Sequence, residues 1–124
     1  MRRAEGSSIT LREIVQALGC SVVSCAAQLD RTVTGAYVGD LLSDVVARSG
    51  PGMLWITCQV HSTIVAVAVL KELAAILIVH GAVPDAETIA KAEAEGVVML
   101  TTTLSAFETA GAVYQLLHQQ HTSR

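Results

Sequence analysis

Three short runs in the second half of the chain, Met53-Leu54-Trp55-Ile56-Thr57, Ala75-Ile76-Leu77-Ile78-Val79 and Val97-Val98-Met99-Leu100, are apolar with almost no alternation. A strand with one wet face alternates apolar and polar residues, so unbroken runs of this length fit strands covered on both sides. Each is followed by a stretch of helical period, at residues 64–73, 84–94 and 104–118. Crossovers of that length join parallel strands. The chain is therefore expected to form a single α/β domain with a mainly parallel sheet flanked by helices and right-handed connections.

The first half reads less regularly. Thr10 followed by Glu13 is a capping-box pattern ahead of a short helix whose Leu11, Ile14, Val15 and Leu18 share one face, and Gly19 ends it. Strands are expected at 21–25 and 32–37, joined by a connection over 26–31. A helix at 40–48 then buries Leu41, Leu42, Val45 and Val46, and Ser49-Gly50-Pro51-Gly52 is a strong stop. The helix at 84–94 turns Ile89 and Ala92 inward and leaves Asp85, Glu87, Lys91, Glu93 and Glu95 to water, with Gly96 closing it. In the last helix the expected buried face is Phe107, Ala110, Val113, Tyr114 and Leu117. Residues 1–8 and 119–124 are expected to be flexible, leaving 9–118 as the domain.

Apolar residues make up 52% of the 124 positions and charged residues 15%, against roughly 25% charged in an ordinary soluble domain. So little charge predicts that part of the surface is covered, most simply in a two-fold homodimer, with an alanine-rich monomer as the alternative. The net charge is −3, the basic residues are scattered and aromatic residues are 3%. No electrostatic footprint or stacking platform for nucleic acid results. Residues 64–79 are the most hydrophobic stretch, but Lys71 and Glu72 interrupt it, so it reads as a helix and a strand and not as a membrane span. The first residues lead into no apolar signal region. Cys20, Cys25 and Cys58 have no C-x-x-C spacing and fit reduced thiols, so a cytoplasmic location is expected.

The run Asp30-Arg31-x-x-Thr34-Gly35, followed by Asp40-Leu41-Leu42-Ser43-Asp44-Val45, resembles the signature of the DRTGG domain family. The similarity continues through Leu54-Trp55-Ile56-Thr57, the segment from Ala75 to Gly81, Pro84-Asp85 and Ser105-Ala106-Phe107-Glu108. Ala36 stands where the signature has its second glycine, which puts in question any feature needing a bare backbone there. The resemblance implies a fold similar to the N-terminal domain of HPr kinase/phosphorylase and to the small N-terminal domain of Mur ligases, neither of which carries its enzyme's catalytic machinery. It also implies a regulatory role, since such domains are accessory units of pyrophosphatases with nucleotide-binding CBS modules and of acyl-phosphate-handling enzymes.

In an open parallel sheet, ligands sit beyond the carboxyl ends of the strands. Three segments should meet there, contributing Thr57, His61, Ser62 and Thr63, then His80 and Gly81, then Thr101, Thr102 and Thr103. Hydroxyls, imidazoles and helix amides suit a phosphate or carboxylate, although Ser and Thr at such places also serve simply as helix caps. Cys58 and His61 have a spacing that invites a thiol-imidazole pair, but no orienting group or oxyanion device accompanies them. Asp30 and Arg31 could pair with each other, or Arg31 could meet an anion. Asp40 and Asp44, four apart on one helix face, would cap the helix or meet a cation. There is no Walker A run, dinucleotide fingerprint or nucleophile elbow, and no histidine or carboxylate set with metal spacing.

These residues lead to the expectation of a non-catalytic regulatory module with no cofactor, binding a small anionic ligand such as a nucleotide or phosphometabolite and signalling to a separate protein partner. The alternative is a ligand-free scaffold acting through a low-charge surface, and a weaker third reading is a small hydrolase using Cys58 and His61.

Overall fold

The structure, a computed structural model, describes the backbone of residues 8–122 and the side chains of residues 8–119. Most of the expected flexible segment 1–8, and residues 123–124, lie outside the described residues. The elements in order are β1 (Ile9–Thr10), α1 (Leu11–Leu18), β2 (Ser21–Ser24), a 3-10 turn (Ala26–Gln28), β3 (Thr32–Val33), β4 (Gly35–Val38), α2 (Leu42–Arg48), β5 (Met53–Thr57), α3 (Thr63–Lys71), β6 (Ala75–Ile78), α4 (Ala86–Glu95), β7 (Met99–Thr101) and α5 (Ala106–Thr122). Five strands form the main sheet in the order β2-β7-β6-β5-β4, and β1 pairs with β3 in a small ribbon. Within the main sheet β4, β5, β6 and β7 run parallel, and β2 lies antiparallel against β7.

Successive residues of a strand point to opposite faces, and here both faces are dry. Leu54, Ile56, Leu77 and Leu100 pack with Leu11 and Ile14 of α1, Val113 and Leu117 of α5, and the β1-β3 ribbon. Trp55, Ile76, Ile78 and Met99 pack with Val45 of α2, Ile64, Val65 and Ala68 of α3, and Ala92 of α4. Every residue of β6 is buried, which is why its sequence shows no alternation. The indole of Trp55 donates to the Gly39 carbonyl at 2.8 Å, so its one polar atom is satisfied.

Local signals explain the element ends. Thr10 Oγ1 accepts from the Glu13 amide, and the Glu13 carboxylate accepts from the Thr10 amide at 2.8 Å, completing the capping box. Gly19 and Gly96 end α1 and α4 in left-handed conformations, where a side chain would be strained.

Several expectations are corrected. The strand expected over 32–37 is two strands in different sheets, because Thr34 leaves the ribbon to donate its amide to the Gly52 carbonyl. The helix expected from Asp40 begins at Leu42, and Leu41 is 64% exposed, because Asp40 and its neighbours are drawn toward β5 instead. Glu93, expected in water alone, accepts the Cys25 amide at 2.9 Å. On α5, Phe107 is 88% and Tyr114 64% exposed, while Thr109, Val113 and Leu117 form the buried line four residues apart. Ala106, Ala110 and Leu116 flank that line, so Phe107 and Tyr114, seven apart, fall together on its outer side. The helix also continues past the expected end at 118. Among the described residues no helix is long and apolar enough to cross a membrane.

Three substitutions test this packing. Leu77→Ala should cost about 2–5 kcal/mol in urea unfolding, whereas Phe107→Ala should stay within about 0.5 kcal/mol. The Thr109 hydroxyl is buried with no hydrogen-bond partner. Thr109→Val, which keeps its shape, should therefore raise stability by about 1 kcal/mol.

Candidate functional site at the carboxyl edge

The connections through α2, α3 and α4 all pass over the face that carries Trp55, Ile76 and Met99. After β7 the chain crosses to the other face and forms α5. The loops leaving β6 and β7 therefore depart on opposite sides of the sheet, and neighbouring strands whose loops diverge leave a crevice between them. A cavity of about 310 Å³ lies there. Gly81, Ala82, Val83 and Pro84 line one side, Thr101, Thr102 and Thr103 the other, and Gly19, Ser21, Val23 and Ile89 complete it.

Backbone bonds hold the two loops in register. The His80 amide donates to the Leu104 carbonyl at 2.8 Å, and the Gly81 amide to the Thr102 carbonyl at 3.0 Å. The Thr102 hydroxyl is buried and accepts from the Leu104 amide. His80 and Gly81 are both left-handed, with φ of 64° and 69°. For a histidine that conformation is costly, and this loop is held in it by its two cross-loop bonds. Of the residues singled out from sequence, Gly81, Thr101, Thr102 and Thr103 thus come together in one cavity, while the amides of His80 and Gly81 and the hydroxyl of Thr102 are already engaged.

The other candidates sit elsewhere on the same edge. Thr57 donates its hydroxyl to Asp40 Oδ1 at 2.6 Å, and the Cys58 amide donates to the same oxygen at 2.9 Å. Gln59 Nε2 reaches the Asp40 carbonyl at 2.8 Å. Partial burial pushes the Asp40 carboxyl up, but the Thr57 and Cys58 hydrogen bonds and the nearby His80 outweigh it and hold the group below its ordinary value of 3.8. Burial and the Asp40 carboxylate together push the Cys58 thiol up, so it stays protonated. His61 Nδ1 lies 2.8 Å from Asp85 Oδ2, a bond that ties the entry of α3 to that of α4. Cys58 and His61 thus each have an aspartate partner, Asp40 for the thiol and Asp85 for the imidazole. Ser62 occupies the N-cap position of α3, but its side chain makes no capping bond, and Thr63 is the first helical residue. Among the described residues no group of three or more His, Cys, Asp or Glu side chains is placed to hold a metal ion.

The model of the DRTGG domain matches residues 13–116. This chain belongs to the DRTGG domain family. No curated protein matches it. Among solved structures it is similar to the CBS and DRTGG domains of the regulatory region of Clostridium perfringens pyrophosphatase, complexed with the activator diadenosine tetraphosphate. The TM-score is 0.73 at 15% identity, covering 94% of this chain and 51% of that one. The likeness is one of fold, and the DRTGG domain described here spans about half of that chain.

The family signature is divided between the two ends of the sheet. Asp30 pairs with Arg12 at 3.1 Å on the surface. Arg31 donates to the carbonyls of Ala74 at 3.2 Å and Gly96 at 3.0 Å, and also contacts Gln28. Those carbonyls precede β6 and β7, so Arg31 staples the amino edge, opposite the crevice. Gly35 opens β4 with an ordinary φ, and Ala36 sits in register with Leu54. Position 36 is extended backbone, so alanine in place of the signature's second glycine costs no backbone strain. Asp40 closes the carboxyl edge.

Sequence reasoning missed Gly19, Ser21 and Val23 as walls of the crevice, since they arrive through the antiparallel pairing of β2 with β7, which no local pattern encodes. The lowered pKa of Asp40 can be tested. Its stabilising contribution is present above the ordinary value of 3.8 and is lost as pH falls through the lower folded value. Asp40→Asn should therefore melt below the wild type by a constant margin above about pH 5, and the margin should shrink as the pH is lowered through the range below that ordinary value.

Proposed function

We propose that this DRTGG domain is a regulatory module, without catalytic activity of its own, that binds a small anionic ligand, a nucleotide or phosphometabolite, in the crevice between the β6 and β7 loops and relays its occupancy to a partner protein. The observation that carries the reading is the divergence of those loops at one point of a parallel sheet, which is where open α/β sheets hold ligands. The chemistry agrees with it. Thr101, Thr103 and Ser21, each with a hydroxyl that can donate to an anion, are among the residues of the cavity wall. The regulatory region of the clostridial pyrophosphatase supports a regulatory role for the fold. Because that region also contains CBS domains, the ligand question is one to ask of this chain alone.

A relay would run through the loops themselves. The His80–Leu104 and Gly81–Thr102 bonds couple the entries of α4 and α5, which lie on opposite faces, so a ligand that spreads the loops would shift both helices. We place the module in the cytoplasm as a homodimer, the charge-poor sequence and the exposed Leu70 and Val69 of α3 being the features that favour covered surface. The second reading, a ligand-free scaffold, is favoured by the exposed Leu41, Val83 and Phe107, three large apolar side chains in the loops and helix start beyond the carboxyl ends of the strands.

A thermal-shift titration against nucleotides, acyl phosphates and inorganic phosphate, with mass followed by light scattering, separates the two. A ligand at 100 times its dissociation constant contributes about 2.7 kcal/mol, and the melting temperature should rise by on the order of 10 °C. The double variant Thr101→Val, Thr103→Val should lose that response while keeping its unliganded melting temperature. No response across the panel from a clean dimer would favour the scaffold.

A further inference from the structure

A second cavity, of about 350 Å³, lies between the edge strand β4 and α5, at the opposite edge of the sheet from β2. Ala36, Val38 and Ile56 form its sheet side, Ala110, Tyr114 and Leu117 its helix side, and Thr34 stands at one end. It exists because small residues, Gly35 and Ala36 on the strand and Ala110 on the helix, meet where larger ones would close the gap. Its volume is at the small end of the roughly 300–1,000 Å³ of small-molecule sites, and its lining, mainly apolar with a few polar groups, is of the usual kind for them.

Two observations say what would fill it. First, the Tyr114 ring is stacked on His118, with centroids 4.1 Å apart and planes 24° from parallel, yet Tyr114 is 64% exposed. The stack fixes the tyrosine orientation and leaves aromatic surface uncovered at the cavity, so a third ring could join at little cost in side-chain freedom. Second, among the described residues β4 is bonded to β5 on one side only, so its outer edge offers backbone donors and acceptors, and the Thr34 hydroxyl adds another. Among the described residues lining the space there is no aspartate, glutamate, lysine or arginine, and its polar side chains are those of Thr34, Tyr114 and His118. We propose that the cavity between β4 and α5 is a binding site for an uncharged, planar aromatic heterocycle, stacked against Tyr114 and hydrogen-bonded through its edge to Thr34 and the free side of β4. The site is on the α5 face and does not rest on the anionic-ligand reading of the crevice.

Ala36 gives the proposal a graded test. Glycine, the residue the family signature has there, would deepen the cavity, and leucine would fill it. The intact chain would be titrated with adenosine and with indole as uncharged aromatic probes, and with ribose and inorganic phosphate as controls, while the Tyr114 ring and the Ala36, Ala110 and Leu117 methyl signals are followed by NMR. At least one aromatic probe should shift those signals and neither control should. Tyr114→Ala, a change at an exposed position, should weaken binding roughly two- to tenfold. Ala110→Leu and Ala36→Leu should abolish it, and Ala36→Gly should retain or tighten it. If neither probe moves these signals, or if a folded Ala110→Leu variant binds as the wild type does, the cavity is a packing gap and the proposal is wrong. Because this cavity shares no lining residue with the crevice, the Thr101 and Thr103 variants leave it untouched and the outcome is independent of the result at the crevice.

Discussion

Strands β5 and β6 present apolar side chains to both faces of the sheet, and apolar surface left on either face would be exposed to water. Covering both demands helices above and below. Four parallel strands laid down in succession by right-handed crossovers put every intervening helix on the same side, so α2, α3 and α4 can cover only one face. The other face is closed by α1 and the ribbon ahead of the parallel run, and by α5 after it. The change of side after β7 is thus a consequence of how the core is buried. The crevice beside it follows from the same requirement.

Polar residues then close the two ends of a sheet whose middle is apolar. At the amino edge Arg31 spans two carbonyls, and at the carboxyl edge Asp40 gathers the hydroxyl of Thr57 and the amide of Cys58. Each satisfies backbone or hydroxyl groups where regular pairing stops and water is only partly available. The signature residues Arg31 and Asp40 therefore maintain the frame. The crevice is formed by Gly81, Ser21 and the three threonines from other parts of the chain.

How much of this was legible in the sequence depended on the range of the interactions. The strands around 53–57, 75–78 and 99–101 and the capping box of α1 were readable because a covered strand and a helix start are written in adjacent residues. The division at Thr34 was not, since it depends on the Gly52 carbonyl eighteen residues away. Nor was the exposure of Phe107 and Tyr114, because an alanine-rich helix such as α5 offers more than one plausible apolar face, and the sheet selects the one through Thr109, Val113 and Leu117. For the site, the rule that ligands gather at carboxyl ends pointed to the edge where the crevice lies. It could not say that Thr57 and His61 would be engaged by Asp40 and Asp85, or that Gly81 and the threonines would converge with the start of β2. Those are facts of pairing between distant segments.

The measurement that addresses the central claim most directly is amide hydrogen exchange across the whole chain, with and without ATP, diadenosine tetraphosphate or inorganic phosphate at saturating concentration. If the crevice is the ligand site, at least one of these slows exchange in residues 79–85 and 101–105 together, on both sides of the divergence, while the amino edge held by Arg31 is unchanged. Exchange that slows elsewhere and leaves those two loops as they were, or that no ligand alters, would contradict the account.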